Sequence, residues 1–312
     1  MSLILAKTYH LAGGIYDLML SCLGNSRAAY EPIASNTASS SVIGAVRIVV
    51  QAANLDNIMG SKPSVIMRVQ GRPETSTTVG KSKVPEQTLH SSYFLVYSLE
   101  EQIEFQVLKR YGFLDAGTAG KMMVSLKHLE TEPTRMGREE GIFKSTNKGS
   151  KRKGSLLLDM FYYPILQVPT CSNTGIVTLR IGQAKGLLAE GTDIHSEKKH
   201  SKLMVVTRMD WTSQPIHKSH EAYDVDEPSW NCSFDFLCFD KSSTTIVMKI
   251  VSKRWNGTHV EYGHVSLALN ELVQADRDEL GWWPLSGFPN GRLQVTADWK
   301  PIELHQDNIY KE

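Results

Sequence analysis

The chain has 312 residues, of which 41% are hydrophobic, a length and composition that suit about two globular domains with packed cores. Its formal net charge is +1, so the whole chain gives no electrostatic reason to bind nucleic acid or an acidic partner, and charge-driven binding must come from local patches. Four cysteines, none in a Cys-x-x-Cys pair, are too few for a disulfide framework and favour a reducing compartment.

The first 41 residues divide into an apolar run and a linker. Residues 3–23 are apolar but include Lys7 and Asp17, which makes them a poor membrane span, since a bilayer core asks for about 20 mostly uncharged residues. A docked helix or a stray strand fits better than a signal peptide, because a Gly-Gly pair lies in the middle of the run where no cleavage site belongs. Residues 25–41 are rich in Ser, Ala, Asn and Pro. We therefore expect residues 1–41 to be an N-terminal segment and linker.

Short β-branched and aromatic runs begin at residue 42 and are separated by Gly, Pro, Ser and Asp clusters, a rhythm typical of an antiparallel β-sandwich. The first series of runs lies at residues 42–50, 65–69, 93–97, 103–108 and 122–126. A polar, Lys- and Gly-containing loop is predicted at residues 130–153, before a strand that ends at Tyr163. The second series lies at residues 176–181, 203–208, 233–239, 245–251, 264–269 and 293–299, with a helical patch at 269–279.

The two series contain a long repeat. Residues 154–165 and 291–302 both read Gly, Leu two positions later, alternating apolar positions and then aromatic-x-Pro-Ile, while residues 49–55 and 181–187 share Val/Ile-x-x-Ala-x-x-Leu. The offsets are 137 residues (291 minus 154) and 132 residues (181 minus 49), far beyond the ~20–50 residues of a solenoid repeat. The sequence therefore predicts two tandem domains of one fold. Their expected bounds are 42–166 and 167–306, with a tail at 307–312.

Motifs for catalysis are missing from the sequence. It has no Gly-x-Ser-x-Gly, phosphate loop, His-Glu-x-x-His or dinucleotide fingerprint, so we predict neither an enzyme nor a cofactor site. Six tryptophans lack the interleaved basic motif of a nucleic-acid-binding sheet, so core packing is expected and nucleic acid is not. Metal-like side chains cluster at His217, His220, Asp224 and Asp226, but their spacing matches no zinc pattern, and a polar loop explains them without a metal.

Three segments of the second series carry a family signature. They read Ser-Asn-Thr-Gly-Ile-Val-Thr-Leu-Arg-Ile-Gly-Gln-Ala-Lys-Gly-Leu at 172–187, Glu-Pro-Ser-Trp-Asn-Cys-Ser-Phe at 227–234, and Trp-Pro-Leu at 283–285 leading to Gly-Arg-Leu and Asp-Trp-Lys-Pro within 291–301. These segments resemble the C2 domains of fungal tricalbins, relatives of the extended synaptotagmins that tether endoplasmic reticulum to plasma membrane. The resemblance covers about residues 42–304 and is weaker, but in register, in the first domain.

The resemblance implies an all-β fold, with two tandem eight-stranded antiparallel C2 sandwiches. Because tricalbins also carry a membrane hairpin and a lipid-transfer module before their C2 domains, this chain looks like a detached or truncated tail. C2 domains often bind calcium through several aspartates in apical loops, since a hard cation prefers oxygen ligands. The four ligand positions of the third loop align on Lys109, Tyr111, Ala116 and Gly117 in the first domain and on Ser252, Arg254, His259 and Val260 in the second. None is a carboxylate, so calcium-independent behaviour is expected.

In the first domain, basic residues lie at or beside the positions where related C2 domains have calcium ligands. They give the tip formed by these loops a positive charge. The first candidate lipid-binding set lies there and comprises Lys62, Lys109, Arg110, Tyr111 and Phe113. Each basic residue near an anionic surface is worth ~1 kcal/mol, and the two aromatic rings could insert at the interface. The alternative is that the aromatic side chains pack beneath the loops.

Further basic residues form two more candidate sets. Adjacent predicted strands of the first domain, where many C2 domains keep a concave polybasic patch, carry Arg68, Arg72, Lys81 and Lys83. The alternative is that these are outward charges on a half-exposed strand. A weaker set in the second domain comprises Lys198, Lys199, Lys202, Lys253 and Arg254. The basic run at 144–153 could also attract an acidic membrane, although such runs are usually solvated loops.

These observations favour a calcium-independent tandem C2 protein that binds anionic phospholipid, either phosphatidylserine or a phosphoinositide. By resemblance, it would be cytoplasmic, peripheral on the cytosolic face of endoplasmic reticulum or plasma membrane, and act as a tether or adaptor at contact sites. The alternative is a scaffold whose degenerate C2 domains have lost lipid binding and hold a protein partner through strand edges or the aromatic pair Trp282-Trp283. A third hypothesis is that the chain is a fragmentary gene product with no independent role.

Overall fold

The computed structural model describes residues 41–55, 64–70, 74–78, 90–111, 114–143, 152–167, 172–187, 202–223, 227–253, 259–274 and 281–304. The chain divides into two compact units between Pro164 and Ile165. Each unit contains eight described strands. The described helical segments are a 3-10 turn at Lys127–Glu130 in the first unit and α1 at Leu269–Gln274 in the second.

All described strand pairs of the first unit are antiparallel. The strands are β1 Gly44–Leu55, β2 Ser64–Val69, β3 Glu74–Thr78, β4 His90–Val96, β5 Gln102–Tyr111, β6 Leu114–Ser125, β7 Thr134–Phe143 and β8 Arg152–Pro164. They follow the order β3-β2-β5-β6-β7-β8-β1-β4. β6 and β7 share only the pair Lys121–Phe143, so the sheet forms two four-stranded layers, β3-β2-β5-β6 and β7-β8-β1-β4, around one core.

The second unit repeats this strand order. Its strands are β9 Gly175–Lys185, β10 Leu203–Met209, β11 His217–Lys218, β12 Ser229–Cys238, β13 Thr245–Lys253, β14 His259–Ala268, β15 Trp282–Pro284 and β16 Arg292–Pro301. The two sheets are β11-β10-β13-β14 and β12-β9-β16-β15. Counted from the first strand of each unit, both units have layers 3-2-5-6 and 7-8-1-4. The predicted fold, two antiparallel eight-stranded sandwiches in tandem, is confirmed.

The repeated aromatic-x-Pro motif closes each sandwich. Gly44 begins β1 and Gly175 begins β9, and each lies opposite the proline of its unit's last strand. A Cβ atom on Gly44 would lie 2.7 Å from the Tyr162 ring, and one on Gly175 would lie 2.5 Å from the Trp299 ring. Glycine is therefore needed where the first strand passes beneath the aromatic side chain of the last.

The prediction of a loop at residues 130–153 is wrong for residues 134–143, which form a strand. β7 occupies Thr134–Phe143 and pairs with β8 along its length. Among its described side chains only Ile142 is buried, and the others are partly or fully exposed. Most side chains of β7 are at least partly exposed to solvent, and exposed strand positions can be polar. β7 therefore lacks the apolar alternation that would have identified it as a strand.

Candidate functional site

Four connections of the first unit leave from the same end of its layers. Leu55 at the end of β1 lies opposite Gly154 near the start of β8. Ser64 at the start of β2 lies opposite both Thr78 at the end of β3 and Leu108 near the end of β5. The connections β1–β2, β3–β4, β5–β6 and β7–β8 therefore join strand ends at one end of the unit, and the remaining three join strand ends at the other.

These four connections are strongly basic. With the adjoining strand residues, they comprise 56–63, 79–89, 109–115 and 144–153. Ten of their residues are basic: Lys62, Lys81, Lys83, Lys109, Arg110, Lys144, Lys148, Lys151, Arg152 and Lys153. Three are acidic: Asp56, Glu86 and Asp115. This end, called the basic end below, thus has a surplus of seven positive charges (ten minus three), whereas the whole chain has +1.

The opposite end of the first unit is acidic. Its connections, at 70–73, 97–101 and 126–133, contain two basic and four acidic residues. Lys127 lies 2.9 Å from Glu100, and this hydrogen bond raises the pKa of the lysine. The first unit is therefore polarised along its strands, from a basic end to an acidic end.

The matching end of the second unit is not basic. Its four connections and adjoining residues are 186–202, 219–228, 253–259 and 285–291. Together they contain five basic and seven acidic residues. Since the two units share one strand order, the positive surplus belongs to the first unit's own sequence and is not a property of the fold.

The structure places the predicted loop-tip residues on a strand. Lys109, Arg110 and Tyr111 are the last three residues of β5. Arg110 pairs with Asp115, and Tyr111 pairs with Leu114, so β5 and β6 continue as a hairpin up to its turn. The other two members of the set, Lys62 and Phe113, lie outside the described residues.

Arg68 lies between two acidic residues. It is half-buried on β2 and lies opposite Glu74 on β3 and Glu104 on β5. Opposite charges in facing cross-strand positions attract, so acidic residues at both positions that face Arg68 favour a balanced charge there. Glu104 also forms an ion pair with Lys121 at 2.6 Å. The strand face around Arg68 is thus charge-balanced.

The other members of the strand-face set lie outside the described strands. The described part of β3 ends at Thr78, and Lys81 and Lys83 follow it in the connection to β4 at the basic end. Arg72 belongs to the β2–β3 connection at the opposite end. A polybasic strand face therefore stays a prediction for Arg72, Lys81 and Lys83.

In the second unit, Lys202 of the weaker set is paired. Lys202 Nζ lies 3.0 Å from Glu221 Oε2 and 5.0 Å from the centre of the Tyr223 ring. The hydrogen bond to Glu221 is the main cause of its raised pKa. Lys253 is the last residue of β13, whereas Lys198, Lys199 and Arg254 lie outside the described residues.

The described positions that align with calcium ligands lie at strand ends. Lys109 and Tyr111 end β5, while Ala116 and Gly117 lie in β6. In the second unit, Ser252 is buried opposite Val260. Within the described ranges, no group of three or more His, Cys, Asp or Glu side chains could hold a metal ion.

The side chain of His217 packs against β12 at the edge of the second sandwich. Its ring stacks on Phe234, with centroids 4.0 Å apart, and its Nε2 lies 3.9 Å from Cys232 Sγ. Burial, with a smaller contribution from the charge of His220, lowers the pKa of His217 to about 4. The same burial raises the pKa of the Cys232 thiol to about 11. Both groups are therefore neutral at pH 7 and close the gap between β11 and β12.

The aromatic pair offered for a protein partner is only partly available. Trp283 packs against the core of the second unit, and its indole N–H donates to the Val295 carbonyl at 3.1 Å. Trp282 is half-buried, with Lys185 Nζ 4.2 Å from the centre of its ring. Both side chains are therefore half-buried, Trp283 with its N–H used in a hydrogen bond and Trp282 with a cation above its ring.

The C2 domain family matches residues 45–140 and 175–285, and the chain belongs to this family. A protein of Schizosaccharomyces pombe, described as uncharacterised, is 25% identical over 244 residues, which is 74% of this chain but 18% of that protein. The chain thus spans less than a fifth of this relative. Among the described residues, no helix is long and apolar enough to cross a bilayer.

Solved structures of tandem C2 domains share this fold. The calcium-bound pair of C2 domains of Extended-Synaptotagmin 2 matches with a TM-score of 0.58 and 17% identity, over 85% of this chain and 99% of that one. A longer structure of the same protein, which contains its SMP domain and the same two C2 domains, matches with a TM-score of 0.60 and 17% identity, over 92% and 63%. The predicted resemblance to the tandem C2 domains of extended synaptotagmins is confirmed at the level of the fold.

Proposed function

We propose that this chain binds anionic phospholipid membranes peripherally, through the basic end of its first C2 domain. The surplus of seven positive charges at that end carries the proposal. An anionic bilayer attracts a basic segment by about 1 kcal/mol for each Lys or Arg near the surface. The ten basic residues supply enough contacts for measurable binding even when only some reach the headgroups.

The difference in charge between the two ends of the first unit sets the orientation of the docked domain. The acidic end, with Glu100 and Glu130 among its residues, is repelled by the same surface that attracts the basic end. Both forces act within about one Debye length, ~8 Å at physiological salt. The domain therefore meets the membrane end-on, with its strands pointing away from the bilayer.

Calcium is not needed in this proposal. The aligned ligand positions of the first domain hold Lys109, Tyr111, Ala116 and Gly117, none of which offers a carboxylate. A role as tether or adaptor at contacts between endoplasmic reticulum and plasma membrane is proposed from the resemblance to tricalbins. The binding itself is proposed from the charge distribution.

Co-sedimentation of the full chain with vesicles tests the proposal. Vesicles of phosphatidylcholine alone are compared with vesicles that also contain phosphatidylserine or a phosphoinositide, with calcium or a chelator, at 0.1 M and 1 M salt. We expect binding to the anionic vesicles alone, equal with calcium and chelator, and lost at high salt, where the Debye length falls to ~3 Å. Failure to bind anionic vesicles at low salt would refute the proposal and favour a protein scaffold. Binding that needs calcium would refute the calcium-independent part.

A further inference from the structure

A polar depression lies on the outer face of the β12-β9-β16-β15 layer, beside Gly182 of β9. Both ladders of β9 are irregular at this glycine. The preceding residue, Ile181, belongs to the core, and successive side chains of a strand point to opposite faces, so Gly182 lies on the outer face. The depression has a volume of about 340 Å³, and its polar lining comprises Arg180, Gly182, Asn231, Ser233, Gln294 and Thr296.

Three strands contribute to this surface. Arg180 of β9 lies opposite Ser233 of β12 on one side and opposite Thr296 of β16 on the other. Gln294 of β16 lies over Gly182, where a Cβ atom would overlap its side-chain amide. Glycine is therefore needed for this amide to lie against β9, where it lines the depression.

Strand pairing identifies the equivalent positions of the first unit. Val50 pairs with Leu158 there, as Ile181 pairs with Val295 in the second unit, and each pair is followed by an irregularity in its ladder. The residue that follows Val50 is therefore equivalent to the one that follows Ile181. This equivalence differs by one residue from the alignment of the Val/Ile-x-x-Ala-x-x-Leu motif, which matched position 49 with 181.

In the first unit, side chains fill this position. Gln51 takes the place of Gly182, and Asp159 takes the place of Thr296. The Gln51 amide donates a hydrogen bond to the Asp159 carboxylate, which also accepts from the backbone N–H of Gly137 at 2.6 Å. The second unit has a glycine and a threonine instead of this hydrogen-bonded pair. The depression is thus a property of the second unit's own sequence and not of the shared fold.

The charge of the lining is balanced. The Arg180 side chain is 55% exposed, and its Nη2 lies 2.6 Å from Asp298 Oδ2. This ion pair holds the guanidinium on the outer face. A guanidinium has five N–H donors, more than this one contact uses. Arg180 therefore offers donors to a ligand while Asp298 offsets its charge.

Asn231 borders the depression in a strained conformation. Its φ is 39°, in the left-handed region that residues other than glycine rarely adopt. Its side-chain N–H donates to Ser229 Oγ at 2.8 Å, and its side-chain carbonyl is an acceptor. Strained residues cluster at ligand sites, so this conformation supports a binding role.

An aromatic ring lies next to the polar lining. Trp282 of β15 pairs with Gln294, so the two side chains share the outer face. The Trp282 side chain is half-buried, and Lys185 Nζ lies 4.2 Å from the centre of its ring. The depression therefore has an apolar border beside its hydrogen-bonding groups.

These groups determine the class of ligand. Side-chain amides and hydroxyls offer both donors and acceptors, and each hydroxyl of a polyol also donates and accepts, so a polyol matches the lining. The volume is at the lower end of the range of small-molecule sites, ~300–1,000 Å³, and suits one six-membered ring. An anion would be attracted by Arg180 but repelled by Asp298, so an uncharged ring is favoured.

We propose that the depression beside Gly182 binds a small polyhydroxylated ring, such as an inositol or a hexose, either free or as the headgroup of a lipid. Arg180, Asn231 and Gln294 hydrogen-bond to the hydroxyl groups of the ring. The site belongs to a strand face of the second unit, and it does not depend on the basic end of the first.

Titration of the full chain with myo-inositol or glucose, followed in amide NMR spectra, tests the proposal. We expect the backbone amides of Gly182, Ser233 and Thr296 to shift, with a Kd of about 1–10 mM, because a few hydrogen bonds at an open surface bind weakly. The shifts should persist at 1 M salt, which screens the charge-driven membrane binding. Inorganic phosphate is titrated in parallel. Shifts with phosphate alone would identify an anion site, and no shift with inositol or glucose would show that no polyol binds; each result overturns the proposal.

The variant G182Q/Q294L/T296D fills the depression with the residues of the first unit, Gln51, Leu157 and Asp159. Since this set already fits the same strand pairing, we expect a folded second unit with unchanged amide signals in β13 and at least about tenfold weaker polyol binding. Unchanged binding in the folded variant would overturn the proposal.

A single substitution tests the site without changing its backbone. Arg180→Gln alters an exposed side chain and should weaken polyol binding about three- to tenfold. Its matched control is Lys300→Gln, which removes the same charge from the same face, opposite Ile176 on β9. We expect the control to change the Kd less than about twofold. Equal losses in the two variants would show that the effect follows charge and not the depression, which contradicts the proposal.

Vesicles distinguish the two sources of the ring. Phosphatidylinositol and phosphatidylserine have the same net charge, and only the first has an inositol ring. Tighter binding to phosphatidylinositol that the G182Q/Q294L/T296D variant loses would support a lipid headgroup. Equal binding to both lipids, together with the shifts caused by free polyol, would support a soluble ligand. A preference for phosphatidylinositol that the variant retains would place ring recognition elsewhere and overturn the proposal.

Discussion

Neutralising part of the basic end should weaken membrane binding far more than an equal change in net charge made elsewhere in the chain. The variant K151Q/R152Q/K153Q removes three positive charges where β8 begins. At about 1 kcal/mol for each residue near an anionic surface, the loss is about 3 kcal/mol. Since 1.36 kcal/mol is a factor of ten, the partition coefficient should fall by about 10²-fold. This is an upper value, because side chains held above the surface contribute less.

The matched control is K198Q/K199Q/K202Q, which makes the same change in net charge at the corresponding end of the second unit. That end already has more acidic than basic residues, and Lys202 is paired with Glu221. We expect the control to change binding less than about threefold, well under 1 kcal/mol. Both variants are measured by titrating phosphatidylserine vesicles into the full chain at 0.1 M salt. Equal losses in the two variants would show that binding follows total charge, and the argument from the basic end would then be wrong.

Three further predictions concern single residues. Because acidic residues hold both cross-strand positions that face Arg68, Arg68→Gln should change vesicle binding less than about twofold; a tenfold loss in the same titration would restore the polybasic strand face. Gly175→Ala should destabilise the second unit by about 1–3 kcal/mol in urea unfolding, since the new methyl group overlaps the Trp299 ring; unchanged stability would mean that the ring moves freely. His217 has a folded pKa of about 4, below its unfolded value of 6.5, so the unfolded chain binds its proton more readily. The stability it supports is complete above pH 6.5 and should fall by about 3 kcal/mol as the pH drops to 4. His217→Phe should remove most of this dependence in thermal unfolding between pH 4 and 7, and an unchanged slope would assign it to other groups.

The sequence was most informative where side-chain identity and local geometry coincide. The aromatic-x-Pro motif predicted the repeat, and in the structure Tyr162 and Trp299 lie against the glycines that begin the two domains. β-Branched alternation likewise identified strands such as β1 and β9, whose inner faces form the cores. By contrast, β7 and the two-residue β11 have exposed or polar side chains, so no apolar pattern predicted them.

The basic end could not be read from the sequence because its charges are far apart along the chain. Its ten basic residues extend from Lys62 to Lys153 and belong to four connections. Only the strand order shows that these four connections lie at one end of the unit. Arg72 belongs to a connection at the opposite end. The sequence alone therefore grouped Arg72 with Lys81 and Lys83, and it left the run at 144–153 as a separate segment, either attracted to an acidic membrane or a solvated loop.

The pairing of first and last strands also determines how the first domain would carry mechanical load. Gly44 and Pro164 are paired neighbours, so the chain enters and leaves this domain side by side, at the end away from the basic residues. A force pulling these two points apart would open the β1–β8 ladder one hydrogen bond at a time, like a zipper. A force between a membrane held at the basic end and either of these points would run along the strands and load many ladder bonds together. A C2 domain attached in this way would resist pulling from the membrane better than pulling between its own two ends.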